Sequence, residues 1–488
     1  MSFASQANHR QECLCHQPNR MDGPLLIPES LRGRRVTVMG LGRFGGGVGV
    51  VNYLLRQGAA VTLTDQLPAS ELVDSLARID VDQLANLRLG GHDPTDFTTA
   101  DIVVVNPAVK PENLLLKLAT DAGTHLTTEL NLFWQAQRGQ IVAVTGSVGK
   151  STTTTLIAHI LERTRDESSG TVRCGGNLGG SLLDVVEDIE PNDITVLEIS
   201  SFQAERLGWI QARPDVVVVT NLFPNHLDWH GTVEEYFAAK SQLVKYLTTE
   251  QALAFSEHDD SVAAWHTNAQ RLPVSVSGEA VSVQTEGEVR SLCSALPQFP
   301  HLPGPHNVMN IALALTVCVE AFGRPIGECL NAIHSYETLP HRLQFAGEVE
   351  GRKFYNDSKA TTPEAAIAAL QTMTGRLHLI AGGADKGVDL TSFAQALADR
   401  VASASFMGST GPVLLTSASE YLPEGTLKPF ACASSLEEAL QVVWAQSQPG
   451  DTILLSPGCA SFGEFRNYEE RGAAFCALVE SLRCRATS

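Results

Sequence analysis

The sequence predicts an α/β protein of three domains, each built around a mostly parallel sheet. Short apolar runs alternate with helical patterns along almost the whole chain. Several runs, such as Ile102–Val105 and Ile194–Glu198, are nearly continuous in apolar residues, as strands covered on both faces require. Residues able to do chemistry fall at the carboxyl ends of these runs: Asp65, Gly146, Glu198, Asn221, Asp357, Gly382 and Ser456. Open parallel sheets bind their ligands outside those ends. A length of 488 residues is enough for about three cores of ordinary size.

Residues 1–30 are polar and lack periodicity, so a disordered tail is expected there, with Met21 an alternative initiator. In that tail Cys13-Leu14-Cys15-His16 has no second ligand pair nearby, so no metal role is expected. The first domain, 31–128, opens with a strand Arg35–Met39 and the loop Gly40-Leu41-Gly42-Arg43-Phe44-Gly45. A helical pattern through Val50–Arg56 and a strand Ala60–Thr64 follow, and Asp65 stands twenty positions after Gly45. That is the spacing of a Rossmann-like βαβ unit, in which glycines let a helix N-terminus approach a pyrophosphate. The loop alone does not say which nucleotide binds.

The second domain, 129–338, carries the apolar run Ile141–Val144 and then Thr145-Gly146-Ser147-Val148-Gly149-Lys150-Ser151-Thr152 at the mouth of a helix. A glycine turn there makes a phosphate cradle: backbone N–H groups face the anion, Lys150 adds a positive charge, and the Ser151 hydroxyl can ligate magnesium. The loop is shorter than the common P-loop pattern but keeps Gly-Lys-Ser in register. The strands Ile194–Glu198 and Asp215–Thr220 follow. Glu198 ends a buried strand, where a carboxylate needs a partner: a magnesium ion or a salt bridge. After the second strand, His226-Leu227-Asp228-Trp229-His230 has the composition of a metal or phosphate site, and Lys240 reads equally as a solvated helix lysine. The stretch 256–300 resists assignment. The third domain, 339–488, is again Rossmann-like, with strands Lys353–Tyr355, Leu377–Ala381 and Thr452–Leu455. Closure about hinges near 129 and 339 is expected.

The formal charge of −19 argues against nucleic acid or an anionic membrane as partner. Ten scattered cysteines read as reduced thiols in a cytoplasmic protein, and no apolar run is long enough to span a bilayer.

Taken together, the motifs resemble those of the Mur ligases, ATP-dependent enzymes that extend the peptidoglycan precursor peptide, in their D-glutamate-adding branch. The matching stretches are Thr145–Thr152, Gly175–Gly179, Leu197–Gln203, Pro303–Asn307, Leu339–Arg342, Asn356–Thr361, Gly382–Gly387 and Leu454–Phe462, continuing through Phe465–Tyr468 and Arg471-Gly472. The resemblance implies that the alanine carboxylate of UDP-N-acetylmuramoyl-L-alanine is activated by ATP as an acyl phosphate, which the amine of D-glutamate then attacks. It assigns catalysis to Lys150, Glu198, His226 and Lys240. Two magnesium ions would be held by Ser151, Glu198, His226 and Lys240, the last as a carbamate. The nucleotide would be bound by Gly146, Ser147, Val148, Gly149, Lys150, Ser151, Thr152, Asn177, Asn307, Asn310, His341, Arg342 and Asp357. D-glutamate would meet Lys359, Thr361, Lys386, Ser461, Phe462 and Tyr468, and the uridine diphosphate would meet Gly40, Gly42, Gly45 and Asp65. A cytoplasmic monomer with neither nucleic acid nor membrane insertion is implied.

The chain departs from the family pattern at Val148, at Gln66 after Asp65, at Asn106-Pro107-Ala108-Val109 and at Trp229. A related ligase adding another amino acid, such as an L-glutamate-adding or folylpolyglutamate synthase-like enzyme, is the main alternative. A dinucleotide-dependent oxidoreductase built on the first domain would leave the second unexplained.

Overall fold

The computed structural model describes residues 26–486, apart from 29, 43, 44, 108, 286, 298, 300, 301, 303, 304, 339 and 386. Met21 and the Cys13–His16 stretch lie outside the described residues. The chain divides into two compact units. One takes in residues up to Lys150 together with Arg165–Leu272; the other takes in Ser151–Thr164 together with the residues from Pro273 on.

The first unit holds a five-stranded sheet of β1 (Arg35–Met39), β2 (Ala60–Asp65), β3 (Asn86–Leu89), β4 (Ile102–Val105) and β5 (His125–Thr127), in the order β3-β2-β1-β4-β5. Every neighbouring pair is parallel. Its apolar runs are continuous because both faces are covered. Val36, Val38, Val61, Leu63, Ile102 and Val104 pack with Val48, Val51 and Leu54 of the helix Gly46–Arg56. Met39, Val103 and Val105 pack on the opposite side with Phe97, Leu116 and Ala119. That helix begins at Gly46, four residues before the apolar periodicity becomes visible, because small residues precede Val48.

The same unit carries β6 (Gln140–Thr145), β7 (Val172–Gly176), β8 (Ile194–Glu198), β9 (Val216–Val219) and β10 (Ala252–Ser256), ordered β10-β9-β6-β8-β7 and parallel throughout. With β6 lying between β8 and β9, the turns that follow these three strands open at one edge. The Asp215–Thr220 strand is shorter than predicted, at Val216–Val219, although Asp215 still bonds β6: its amide donates to the Ile141 carbonyl at 2.9 Å and its carboxylate accepts from the Ile141 amide at 2.7 Å.

The stretch left unassigned by sequence is β-structure. The boundary between the units falls inside β11 (Gln270–Ser277), and β12 (Ala280–Thr285) and β13 (Glu288–Cys293) complete an antiparallel meander. Gly278, at φ 61°, turns β11 into β12 through a two-residue loop. The second unit also contains β14 (Gln344–Val349), β15 (Arg352–Asn356), β16 (Leu377–Gly382), β17 (Ser403–Met407), β18 (Phe430–Cys432) and β19 (Thr452–Leu455). Their order is β14-β15-β19-β16-β17-β18, parallel except for β14. Among the described residues no helix is long and apolar enough to cross a membrane.

At the amino ends of β16, β17 and β19 lies a buried Ser–His–Asp network. His378 meets the Ser403 hydroxyl at 2.7 Å through Nδ1 and Asp451 Oδ2 at 2.9 Å through Nε2. His378 and Ser403 are fully buried, at the sheet edge opposite the ligand-binding one, so the network ties three strands together rather than acting on a substrate. Burial lowers the pKa of His378, and the contact with Asp451 only partly offsets that. The folded state therefore favours the neutral ring, while the unfolded chain takes up its proton near the ordinary value of 6.5. Stability from this group is present above that pH and is lost as the pH falls through it. Chemical denaturation between pH 8 and 5 should show an acid-side slope that loses up to about one proton in His378→Gln.

Candidate active site

The turn after β6 is shaped by the end of β9. Gly146 has φ 139°, and a Cβ there would stand 2.1 Å from the hydroxyl of Thr220, so only glycine fits. The amide of Ser147 donates to the Asn221 carbonyl at 2.9 Å. The Asn221 side chain grips Val148 twice, accepting from its amide and donating to its carbonyl, each at 2.9 Å. Thr220 Oγ1 donates to the same carbonyl at 2.6 Å. The Val148 side chain itself is about half exposed, so the loop is held through backbone whatever stands at that position. Ser147 Oγ donates to the Phe223 carbonyl at 2.8 Å and lies 3.1 Å from the Tyr236 hydroxyl. Gly149, at φ 85°, completes the turn into the helix Lys150–Arg163.

Two lysines converge on this turn. Lys150 Nζ donates to the carbonyls of Gly146 and Ser147, each at 3.0 Å. Lys240 is 1% exposed on the helix Val233–Ser241, and its Nζ reaches the same Gly146 carbonyl at 2.9 Å and Thr145 Oγ1 at 3.3 Å. The sequence alone left Lys240 as a possible solvated helix residue; it is buried in the site. Burial foremost, and then the charge of Lys150, push its pKa down to about 6, against the opposing pull of Glu198. Glu198, buried at the end of β8, accepts from Asn177 Nδ2 at 2.7 Å. Gly176 allows that approach: at φ 78°, a Cβ there would lie 2.3 Å from the Glu198 carbonyl. The predicted residues Gly146, Ser147, Val148, Gly149, Lys150, Asn177, Glu198 and Lys240 thus share one sheet edge.

The histidine segment is arranged differently from a single ligand cluster. His230 is buried, 2.9 Å from Ser201 Oγ and stacked on Phe202 at 5.4 Å between ring centres. His226 is exposed, in a left-handed conformation with φ 52°, its ring 5.2 Å from that of Phe202. Spending His230 on the Ser201 hydroxyl separates the roles of the two rings and leaves His226 as the outward one. Among the described residues, no group of three His, Cys, Asp or Glu side chains is placed to hold a metal ion. Trp229 packs on Phe202, 4.5 Å between centres.

In the first sheet, Gly40, Gly42 and Gly45 all have positive φ, as a glycine loop needs. Asp65 was expected to face a ligand, but it is buried and spent on the loop itself. Its Oδ2 accepts from the amides of Leu41 at 2.8 Å and Gly42 at 3.1 Å, and its Oδ1 accepts from Leu67 at 2.8 Å.

The second unit gathers the remaining residues into two groups. Ser151 is buried and Thr152 half-buried. Thr153 Oγ1 donates to Asn310 at 3.2 Å, and Asn310 Nδ2 to Asn307 at 3.0 Å, which fixes both predicted asparagines. At the ends of β15 and β19, Asp357 accepts from Ser456 Oγ at 2.7 Å and from the Leu343 amide at 3.1 Å. Burial pushes its carboxyl up to about 7, with those bonds and Arg342 opposing. His341 and Leu343 are left-handed on either side of Arg342, at φ 64° and 42°, a costly conformation for both residue types. Lys359 donates its amide to the His341 carbonyl at 2.9 Å, and its Nζ lies 5.7 Å over the Tyr468 ring. The amide of Thr361 bonds the Lys359 carbonyl at 2.9 Å. Ser461 is buried and Phe462 is exposed. Lys386 lies outside the described residues.

Arg471, quoted in a motif without a role, is fully buried here. It donates to Ser358 Oγ at 3.0 Å, the Ser358 carbonyl at 2.9 Å and the Cys459 carbonyl at 3.2 Å. It thereby ties the turn carrying Lys359 to the turn carrying Ser461. Its sequence context, a charge-rich helix start, gave no sign of burial.

Comparison with known proteins covers most of the chain. Residues 34–128 match the Mur ligase MurD-like N-terminal domain, 144–318 the Mur ligase middle domain, and 341–459 the Mur ligase glutamate ligase domain. A UDP-N-acetylmuramoylalanine–D-glutamate ligase of Roseiflexus sp. is 36% identical over 93% of this chain and 99% of its own. Its counterpart in Acidobacterium capsulatum is 33% identical over 93% and 97%. Among solved structures, a MurF ligase from Thermotoga maritima in complex with ADP has the same fold, with TM-score 0.51 and 18% identity over 93% of this chain and 96% of its own.

Because Gly146 has no room for a side chain, Gly146→Ala should lower stability by about 2–4 kcal/mol, read as a shift of the denaturant midpoint. Val148→Ser should stay within about 0.5 kcal/mol of the parent, since Asn221 and Thr220 hold the backbone there.

Proposed function

The chain belongs to the Mur ligase family, and from that membership we propose that it joins D-glutamate to UDP-N-acetylmuramoyl-L-alanine at the expense of ATP, in peptidoglycan precursor synthesis. The observation that carries this reading is the convergence of Lys150 and Lys240 on the Gly146 carbonyl, with Glu198 within electrostatic reach. Such a site suits a reaction in which one anion must strike another.

In the first step an oxygen of the alanine carboxylate attacks the γ-phosphorus of ATP; the bond to the β–γ bridging oxygen breaks and ADP leaves. In the second, the amine of D-glutamate attacks the carbonyl carbon of the resulting acyl phosphate. A C–N bond forms, the C–O bond to phosphate breaks, and the amine gives up a proton. Both steps bring negative groups together, so catalysis is mainly positioning and charge stabilisation. Lys150 and the amides of Gly149 and Lys150 serve the phosphates, those of Ser147 and Val148 being spent on Asn221. Lys359 and the hydroxyls of Thr361, Ser461 and Tyr468 suit a dicarboxylic amino acid, with Lys386 assigned by motif alone.

The residues fit magnesium. Glu198 and the Ser151 hydroxyl are hard oxygen donors, and His226 is outward-facing. Lys240 fits if it is carbamylated. An ammonium there is buried beside another, whereas a pKa near 6 leaves the amine largely neutral, the form that adds carbon dioxide. A carbamate turns that position from a repelling cation into an oxygen ligand. Bound magnesium would neutralise phosphate oxygens during transfer.

An amino-acid panel scored by phosphate release tests the substrate. With ATP, magnesium and UDP-N-acetylmuramoyl-L-alanine, turnover should require D-glutamate; turnover with L-glutamate, or with a folate acceptor, would overturn the assignment. Lys150→Ala should lower kcat by at least about a hundredfold while leaving the melting temperature close to the parent's. Lys240→Ala should be nearly inactive and partly rescued by short carboxylic acids, which can stand in for the carbamate; absence of any rescue would count against the modification.

A further inference from the structure

Arg206 lies on the helix Ser201–Leu207 and is 2% exposed. Its guanidinium donates to the main-chain carbonyls of Asn106, at 3.3 Å, and Val109, and its Cζ stands 5.4 Å from the centre of the Trp209 ring. These partners are neutral, and burial draws its pKa down to about 10. A buried cation of this kind is weak evidence for stability, since its desolvation offsets much of what its bonds return.

What it grips is informative. Asn106–Val109 is the turn that follows β4, closed by the Val109 amide on the Asn106 carbonyl at 3.0 Å. The strand order of the first sheet reverses between β1 and β4, so this turn and the glycine loop after β1 flank the switch point, in whose crevice open parallel sheets take their ligands. The side-chain Nδ2 of Asn106 lies 3.3 Å from where a Cβ on Gly40 would stand. Lys110, next along, places Nζ 5.7 Å over the Trp229 ring. The far end of the helix is fixed too: Asn131, fully buried, donates from Nδ2 to the Arg206 carbonyl at 3.0 Å. The helix is capped by Ser200, two residues beyond Glu198, with Ser200 and Gln203 forming a reciprocal cap.

We propose that Arg206 is a positioning residue for the UDP-muramoyl substrate: it holds the Asn106–Val109 turn in register with the Gly40–Gly42 loop and ties that crevice to the helix rooted beside Glu198. The inference rests on the ligase reading above. Its effect is on where the substrate sits, and Arg206 takes no part in bond making.

Steady-state kinetics of the full chain decide it. Arg206→Met should raise KM for the UDP-muramoyl substrate on the order of tenfold, because a turn displaced by a fraction of an ångström no longer presents the crevice. Its kcat and its KM for ATP should stay within about twofold of the parent. Arg206→Lys should recover part of the loss, since an ammonium can reach one carbonyl but cannot fork to both. An unchanged KM for the UDP-muramoyl substrate, or equal losses in every parameter together with a lower melting temperature, would make Arg206 structural only and overturn the proposal. Should the methionine variant fail to fold, the lysine variant decides through the rise in melting temperature that UDP-N-acetylmuramoyl-L-alanine alone produces. A smaller rise than in the parent supports the role, and an equal rise refutes it. A parent protein that does not turn over this substrate at all would instead sink the functional reading.

Discussion

Two amines on one carbonyl is the arrangement around which the first unit is organised. Bringing Lys240 to the Gly146 oxygen requires the helix Val233–Ser241 to press against the phosphate turn, and Tyr236 on that helix meets Ser147. Holding the turn in place requires Asn221 and Thr220 at the end of β9, and placing Glu198 within reach requires β8 on the other side of β6. A parallel sheet supplies all three strand ends at one edge. Burying the Lys240 amine beside the charge of Lys150 raises the free energy of the isolated fold. It becomes useful only when anions arrive, which is how an electrostatically prepared site differs from a merely stable one.

Much of this was legible in the chain. Continuous apolar runs such as Ile102–Val105 and Ile194–Glu198 are strands with those same bounds, because burial on both faces leaves no polar alternation to blur their ends. Gly146 and Gly149 announced their turn because their conformations suit few other residues. The meander β11–β13 was not legible: it buries one face only, its apolar residues are few, and its short strands sit among polar ones.

Side-chain partners were the least legible part. Asp65 sits at the spacing of a ribose-binding acid, yet its oxygens are taken by Leu41, Gly42 and Leu67. Asn221 was visible as a strand-end residue, but that it clasps Val148 from both sides depends on β9 lying next to β6. Arg206 and Arg471 occur in helical stretches where an arginine ordinarily snorkels to water, and no local pattern distinguishes the buried ones. Sequence periodicity reports which face of an element is apolar; it does not report which polar residue a neighbouring element will cover.

Arg471 carries a consequence for how the second unit meets solutes. Its hydrogen bonds go to a hydroxyl and two carbonyls, and with a pKa of about 10 it remains a cation at neutral pH. Among the described residues no carboxylate is hydrogen-bonded to it, the charge of Glu464 acts on it only from further off, and mobile counter-ions cannot reach it. Its field at the neighbouring strand ends is therefore a fixed property of the fold, nearly indifferent to ionic strength. Attraction of a carboxylate toward those strand ends should accordingly persist in concentrated salt, where the pull of surface lysines fades.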